Sequence, residues 1–584
     1  MDMKFVSIKP VLLLSFILIS ASVFAQDQDT MESETVTVIK QYSPSVRDAS
    51  KLKVTPPKTD SVTTTKKTVN YKIFSVPVAS TFTPVKGRAT KIKRERAPKI
   101  YDNYASLGVG NYTNILAEFY SNIEVNRDDN LGVYFLHNSS QGGIDEAQLD
   151  DKFYNTSLGL NYGRKDRDFA WKVGLGGQHQ LYNWYGLPEN LLLTNEEKFS
   201  IDPQQNYYSV FAEGEFELYG SIFDKANIQI RQSGDASGTS EQLVDFGAQF
   251  NFNINDIAVN TDVTANYVNG EAGKTYLYFI DSEVNEYSFL NLGISPGIVY
   301  LRDDLTLNIG VSLNYSADTK NSENSFYVYP KISASYNLVD DYFIPYAGIN
   351  GSLNQNSYYN FVQENPYVSP TLAVKPTNNQ YNAFLGAKGK LSNSISYNFR
   401  GSYQSLEDKA LFRRNVLYAT STKGFEYGNS FGVLYDDIKV ASFFAEISAD
   451  LSSKFQLGVN GEVFSYDSDN QSEAWNMPDY KASVMGNYTI SDKWIAGVNL
   501  FLVGERKDLA ISDFSAVDGG ITESKVTLDS YFDANAQVRY KFTDRLSVFV
   551  KGSNLFNNDY QRWINFNVQG LQVLGGLTYK FDYN

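Results

Sequence analysis

Histidine is the side chain most often used as a general base near neutral pH, and this 584-residue chain has two, His137 and His179. Neither stands in a pattern that gives it a serine or carboxylate partner. With no cysteine anywhere, thiolate nucleophiles, thiolate metal sites and disulfides are excluded. Two acidic stretches offer oxygen ligands of the kind a hard cation takes. They are Asp467-Ser468-Asp469-Asn470-Gln471-Ser472-Glu473 and Asp145–Asp151. The first opens like a calcium loop, but no glycine turn or spaced glutamate follows in register, so solvated loops are the simpler reading. Gly174-Leu175-Gly176-Gly177 lies in strand pattern and opens no helix, which removes it as a phosphate cradle. These residues point away from an enzyme, a cofactor or a nucleic-acid partner. Recognition is left, and its candidates are loop aromatics: Tyr182, Trp184, Tyr185, Trp475 and Trp563. Exposed rings of this kind stack on sugars or anchor protein partners; the alternative is the aromatic girdle of a membrane interface.

The elements that must carry those loops are strands. From Leu305 the odd positions read Leu305, Leu307, Ile309, Val311, Leu313 and Tyr315, against Thr306, Asn308, Gly310, Ser312, Asn314 and Ser316. Phe455 to Val463 and Leu571 to Tyr583 repeat the pattern, with Leu574 the one apolar residue on the wrong face. Period two is strand, and runs of this length match the roughly 9 to 11 residues that cross a bilayer at a tilt. Aromatics form 15% of the chain, with 42 Tyr and 38 Phe, as a sheet with one greasy and one wet face requires. Short polar turns are expected at 126–130, 164–168, 223–225, 253–256, 302–304, 339–341, 392–394, 452–454, 491–493 and 543–545, alternating with longer loops. Ten turns, a closing strand and an opening strand near Tyr104–Gly110 predict an all-β fold, a transmembrane antiparallel barrel of about 20–22 strands over residues 101–584.

Residues 1–25 read as a signal peptide. Lys4 and Lys9 precede an apolar run from Val11 to Ile19, and Ala25 offers the small residue at a cleavage site. The segment 26–100 is a mostly unstructured basic extension, periplasmic or lumenal. Residues 51–100 hold thirteen Lys or Arg against Asp60 and Glu95, a composition too poor in apolar surface to fold alone. Its densest stretch, Lys86, Arg88, Lys91, Lys93, Arg94 and Arg96, is the candidate strap for the acidic barrel lumen or for a protein partner.

The last strands carry a family signal. Tyr540-Lys541-Phe542-Thr543-Asp544-Arg545-Leu546, then Asn554-Leu555-Phe556-Asn557-Asn558-Asp559-Tyr560, then Gly575–Phe581, resemble the C-terminal end of TonB-dependent receptors. The Tyr- and Asn-rich style resembles their Bacteroidetes branch. The resemblance implies a 22-stranded barrel in the cell outer membrane, facing outer-membrane lipid and importing a ligand with energy passed through TonB. Glu34, Thr35, Val36, Thr37 and Val38 are similar to the energy-coupling box that pairs with TonB by strand addition. Family barrels are filled by a plug domain ahead of the first strand. Only Gln26 to about Lys99 stands there in this chain, so the expectation is a receptor-like barrel without a recognisable plug. Its function is then uptake or passage of a ligand, or else a non-transporting structural role in an outer-membrane assembly, secretion or uptake complex.

Overall fold

The computed structural model describes residues 99–583 apart from 189–190, 192, 256, 276–282, 417–422 and 515–520. The candidate coupling box Glu34–Val38 and the strap Lys86–Arg96 lie outside the described residues. The chain divides into two units, residues 1–100 and 101–584, and the second is the barrel.

Twenty-two antiparallel strands form one closed sheet. The opening strand Asn103–Gly110 pairs on one edge with Ile115–Glu124 and on the other with the last strand, Gln572–Phe581, from Asn103↔Phe581 to Gly110↔Leu574. Closure leaves no terminal edge, which is what permits a sheet in lipid, where each unsatisfied backbone group costs several kcal/mol. The alternation expected from the sequence sets the two faces. Leu107, Val109, Leu158, Leu160, Val210, Ile230 and Leu577 stand exposed on the outward rows. The inward rows carry polar and charged groups. Glu118, Glu213 and Glu215 lie on the strands 115–124 and 204–218; Lys388, Arg400, Arg539 and Lys541 lie on 377–392, 395–414 and 531–541.

Leu574, the apolar residue on the inward face, is buried. It packs over Gly108, where an added methyl would come within 2.5 Å of the leucine and 3.2 Å of Phe549. The turn expected at 223–225 falls earlier, at 219–222, because Gly220 takes the left-handed conformation (φ 72°) that reverses the chain. Phe223 and Lys225 already pair with Phe250 and Gln249 across a bulge.

Strands Ile395–Arg414 and Phe431–Ser452 are far longer than a bilayer needs and project past the long-loop end. Two small hairpins, Arg506–Phe514 with Ile521–Leu528 and Gln561–Trp563 with Phe566–Asn567, and two short helices, Asn195–Ser200 and Tyr358–Glu364, belong to the loops at that end.

Candidate functional site, a lid of packed loops

The helix Tyr358–Glu364 follows the strand Ile344–Asn354 and is folded into the barrel mouth. Ser357 caps it, its hydroxyl accepting the Asn360 N–H at 3.0 Å. A second acceptor comes from across the lumen. The fully buried Glu241 carboxylate accepts the Tyr358 N–H at 2.6 Å, the Tyr359 N–H at 3.1 Å and the Tyr287 hydroxyl at 2.7 Å. It thereby satisfies free donors of the first helical turn that would otherwise be buried without partners. Tyr358 donates its own hydroxyl to Asp235 at 2.6 Å, and burial, with Asp235 adjacent, holds that phenol well above its usual range, so it stays a donor. Gln363 donates to Gln180 at 2.8 Å and Tyr207 donates to the Pro366 carbonyl at 2.8 Å. Arg231 lies 4.1 Å from the Tyr359 ring centroid.

The other flank of this segment is apolar. Tyr367 stacks on Phe566 at 3.8 Å, Tyr185 meets Phe566 edge-on at 4.9 Å, and Phe361 meets Phe412 edge-on at 5.8 Å. Phe431, with no exposed surface, touches Trp563 at 5.3 Å. Its backbone bridges to the same segment, Phe431 N–H to Tyr367 O at 3.0 Å and Ser369 N–H to Phe431 O at 2.9 Å. With Val362, Val368, Leu372, Val374 and Ile564 these rings form one core from loops that start on different strands. The gap left between helix and wall, lined by Gln178, Gln180, Tyr207, Tyr359 and Gln363, is about 10 Å³, room for one water at most.

This core corrects the reading of the loop aromatics as exposed recognition groups. Trp184 is buried against Phe425 at 5.6 Å, and Tyr185 is buried, donating to the Asn567 carbonyl at 2.8 Å. Trp475 is buried in a second cluster with Leu406, Leu411, Ile438 and Leu509. Tyr182 and Trp563 are half-buried against the main core. The physical reason is area: large rings on loops that fold inward gain most by packing on one another.

The remaining candidates are scattered. His137 shares its ring nitrogens between Thr156 at 2.8 Å and Ser139 at 3.1 Å, and His179 pairs across the sheet with the same Thr156. In the acidic stretch 467–473, Glu473 is bound by Lys507 and Lys525, at 3.2 and 2.5 Å, and Asp469 by Lys439 at 3.2 Å. Among the described residues no group of three or more His, Asp or Glu is arranged to hold a metal. Between this loop and the hairpin 506–528 a polar cavity of about 370 Å³ opens, lined by Asp467, Ser468, Glu473, Asp479, Glu505 and Lys507.

Two buried acidic residues that no sequence pattern marks each gather several loop hydrogen bonds. Glu241 is one. Asp508 is the other, buried where it accepts from Leu509 N at 2.7 Å, Asn476 Nδ2 at 2.9 Å and Arg414 N at 3.1 Å. Burial pushes its carboxyl up to about 6, against about 3.9 when unfolded. The docked hairpin therefore holds a proton across that window which the undocked one has lost. Docking is strongest below the window and weakens as pH rises through 6, by on the order of 2 to 3 kcal/mol. Acrylamide quenching of Trp475 is expected to rise between pH 5 and 7.5 and to stay flat in Asp508→Asn; a flat profile in the unaltered protein would refute the assignment.

Residues 97–555 match a family described as TonB dependent receptor-like, beta-barrel. The chain belongs to that family. As a TonB-dependent receptor-like barrel it is an outer-membrane protein, with the long loops and their lid at the outer end. It is 22% identical over 450 residues to the ferripyoverdine receptor of Pseudomonas aeruginosa, a match covering 74% of this chain and 48% of that one. The chain thus spans about half the length of the curated relative it matches. Among solved structures it is similar to the pyoverdine outer membrane receptor of Pseudomonas aeruginosa, with TM-score 0.60, 15% identity, 83% of this chain and 79% of the other covered. It is likewise similar to a siderophore receptor of Acinetobacter baumannii, with TM-score 0.60, 13% identity, 83% and 81% covered. At such identities the likeness establishes the fold.

Proposed function

We propose that this barrel takes part in uptake or passage of a ligand across the outer membrane, and that its own outer loops form the gate. The observation that carries the reading is the combination of a charged, water-compatible lumen wall with a lid held by buried polar anchors and an aromatic core, joined to the wall's backbone by a short bridge at Phe431. Acidic and basic groups interspersed on the inward rows (Glu213 and Glu215 beside Lys172; Arg400, Arg539 and Lys541) give the lumen the character of a path for polar solutes. The cavity beside Glu473 has a volume within the range of small-molecule sites, roughly 300 to 1,000 Å³, and is the candidate for first contact. The Bacteroidetes affinity, the lack of a recognisable plug within residues 26–99 and pairing of Glu34–Val38 with TonB belong to this same proposal. The first is supported by the Tyr- and Asn-rich sequence, the second by the basic, apolar-poor composition of residues 51–100, and the third by the Thr/Val alternation. Residues Lys86–Arg96 are proposed as a periplasmic partner segment or lumenal strap.

One observation favours the second reading, a non-transporting barrel subunit. The loop core packs the main lid loops into one unit, and the gap between its helix and the lumen wall is about 10 Å³. Single-channel conductance in planar bilayers separates the two. The mature chain is expected to stay closed, to stay closed without residues 26–99, and to conduct only when the lid is released. A pore opened by the deletion alone would make the extension the barrier. A released lid with no pore would overturn passage and leave the structural role.

A further inference from the structure

One rung of the sheet can be followed across seven neighbouring strands on the lumen side. Tyr104 stands opposite Tyr120, Tyr120 opposite Tyr134, and Tyr134 opposite Gly159. Gly159 stands opposite Gly176, Gly176 opposite Phe211, and Phe211 opposite Arg231. The residues beside this row, Leu158, Val210 and Ile230, stand exposed on the outward face, so the row itself points inward. Because barrel strands are tilted, a rung also climbs. Tyr104 is one residue from the short-turn end of its strand, and Arg231 is eight residues from that end of Phe223–Asp235.

Two glycines keep the row continuous. A methyl at Gly159 would collide with the Tyr134 ring, and one at Gly176 would come within 2.5 Å of Phe211. Each ring therefore leans along the wall over the glycine beside it, and the two lean toward each other. Tyr104 and Tyr120 are stacked at 6.0 Å with 23° between their planes, and Tyr120 keeps 41% of its surface open. At the top, Arg231 stands 4.9 Å from the Phe211 ring and 4.1 Å from that of Tyr359 on the lid helix. The row thus begins under the docked lid and ends near the short turns.

Polar groups border it on the same inward face. Glu118 lies two residues from Tyr120 along its strand, Asn161 two from Gly159, Gln178 two from Gly176 and Glu213 two from Phe211. Glu213 is met by Lys172 at 3.8 Å. The Glu118 carboxylate has no hydrogen-bond or ion-pair partner among the described residues.

This combination selects a ligand chemistry. Ring faces give dispersion contact to flat C–H surfaces, while carboxylates accept from hydroxyls and side-chain amides both donate and accept. An alkyl chain would cover Glu118 and Asn161 without pairing them, which is costly. An anion would meet Glu118 and Glu213. A cation would meet Arg231 at the top and Lys580, opposite Tyr104, at the foot. A neutral chain of sugar rings suits the whole row, with C–H faces on the aromatics and hydroxyls on the polar border.

We propose that this row is a track along which a neutral oligosaccharide is bound and passed down the lumen wall. It names the substrate class of the passage proposed above and rests on that reading.

The test is isothermal titration calorimetry of the mature full chain in detergent micelles, with maltohexaose as the probe. The foot of the row lies at the short-turn end, so binding does not require the lid to open. Replacing both rings, Tyr120→Ala with Tyr134→Ala, is expected to weaken binding at least ~10-fold, whereas Tyr120→Phe with Tyr134→Phe, which keeps both faces, stays within ~3-fold of the unaltered chain. Spermine, a polycation, is expected to bind the unaltered chain at least ~10-fold more weakly than maltohexaose, and this comparison needs no variant. No maltohexaose binding by the unaltered chain, equal affinity in the alanine pair, or tighter binding of spermine would each overturn the proposal. Conductance judges passage separately. A barrel that binds the sugar but never conducts fails the passage reading alone, and one that conducts without binding it fails the track alone.

Discussion

Replacing Glu241 with alanine is expected to release the lid while the barrel stays closed on itself. The carboxylate is the shared acceptor for the Tyr358 and Tyr359 N–H groups and the Tyr287 hydroxyl. Its removal leaves these donors inside a site from which water is excluded. Each buried donor without a partner costs ~1 to 3 kcal/mol, so with three donors the docked lid stands to lose roughly 3 to 9 kcal/mol, more than a seven-residue helix can recover by its own propensity. The ladder of the strand Ser240–Ile254 is untouched, since its pairs with Phe223–Asp235 and Ile257–Glu271 are backbone bonds. Protease added outside intact cells should therefore cut within 355–376 in Glu241→Ala and spare the unaltered protein, with equal amounts of folded barrel in both. Glu241→Gln, which keeps an acceptor oxygen but turns a donor toward the helix, should fall between them. A segment that stays uncut in Glu241→Ala would mean that the aromatic flank alone holds the lid.

The wall was legible because lipid and lumen impose opposite demands on alternate residues, and that alternation is written directly into stretches such as Leu305–Ser316. Even its exceptions have local causes: Leu574 needs Gly108 and Phe549 beside it, and the turn near Phe223 moves to the glycine that can reverse the chain. The loops follow no such rule. Trp184 and Trp475 look the same in sequence whether they face water or one another, and only the inward course of the chain decides. Glu241 is harder still, since it occupies an ordinary inward position of an ordinary strand. Its role comes from a helix start 117 residues away, a distance over which a single sequence carries no periodic signal.

Truncating Phe431 to alanine is the complementary test, because it removes packing and leaves the polar anchors in place. The ring has no exposed surface and sits between Trp563 at 5.3 Å and Phe566 at 6.0 Å, while its backbone holds Tyr367 and Ser369. Deleting a buried phenyl ring typically costs ~3 to 5 kcal/mol, part of it for a cavity that its neighbours cannot fill. Here the neighbours are rings already committed to one another: Tyr367 is stacked on Phe566 and Trp563 is set against Phe412, so collapse into the gap would break those contacts. The cost should fall on the docking of the segments 355–376 and 554–571, since backbone pairs of the strand Phe431–Ser452 do not involve the ring. Brief openings are expected in planar bilayers, along with freer acrylamide access to Trp563. Phe326→Ala is the control: its ring is already 64% exposed on the outward row, and it should leave both readings unchanged. If Phe431→Ala remains as closed as the control, the apolar core is dispensable to the seal, and Glu241 with Asp235 must carry the lid.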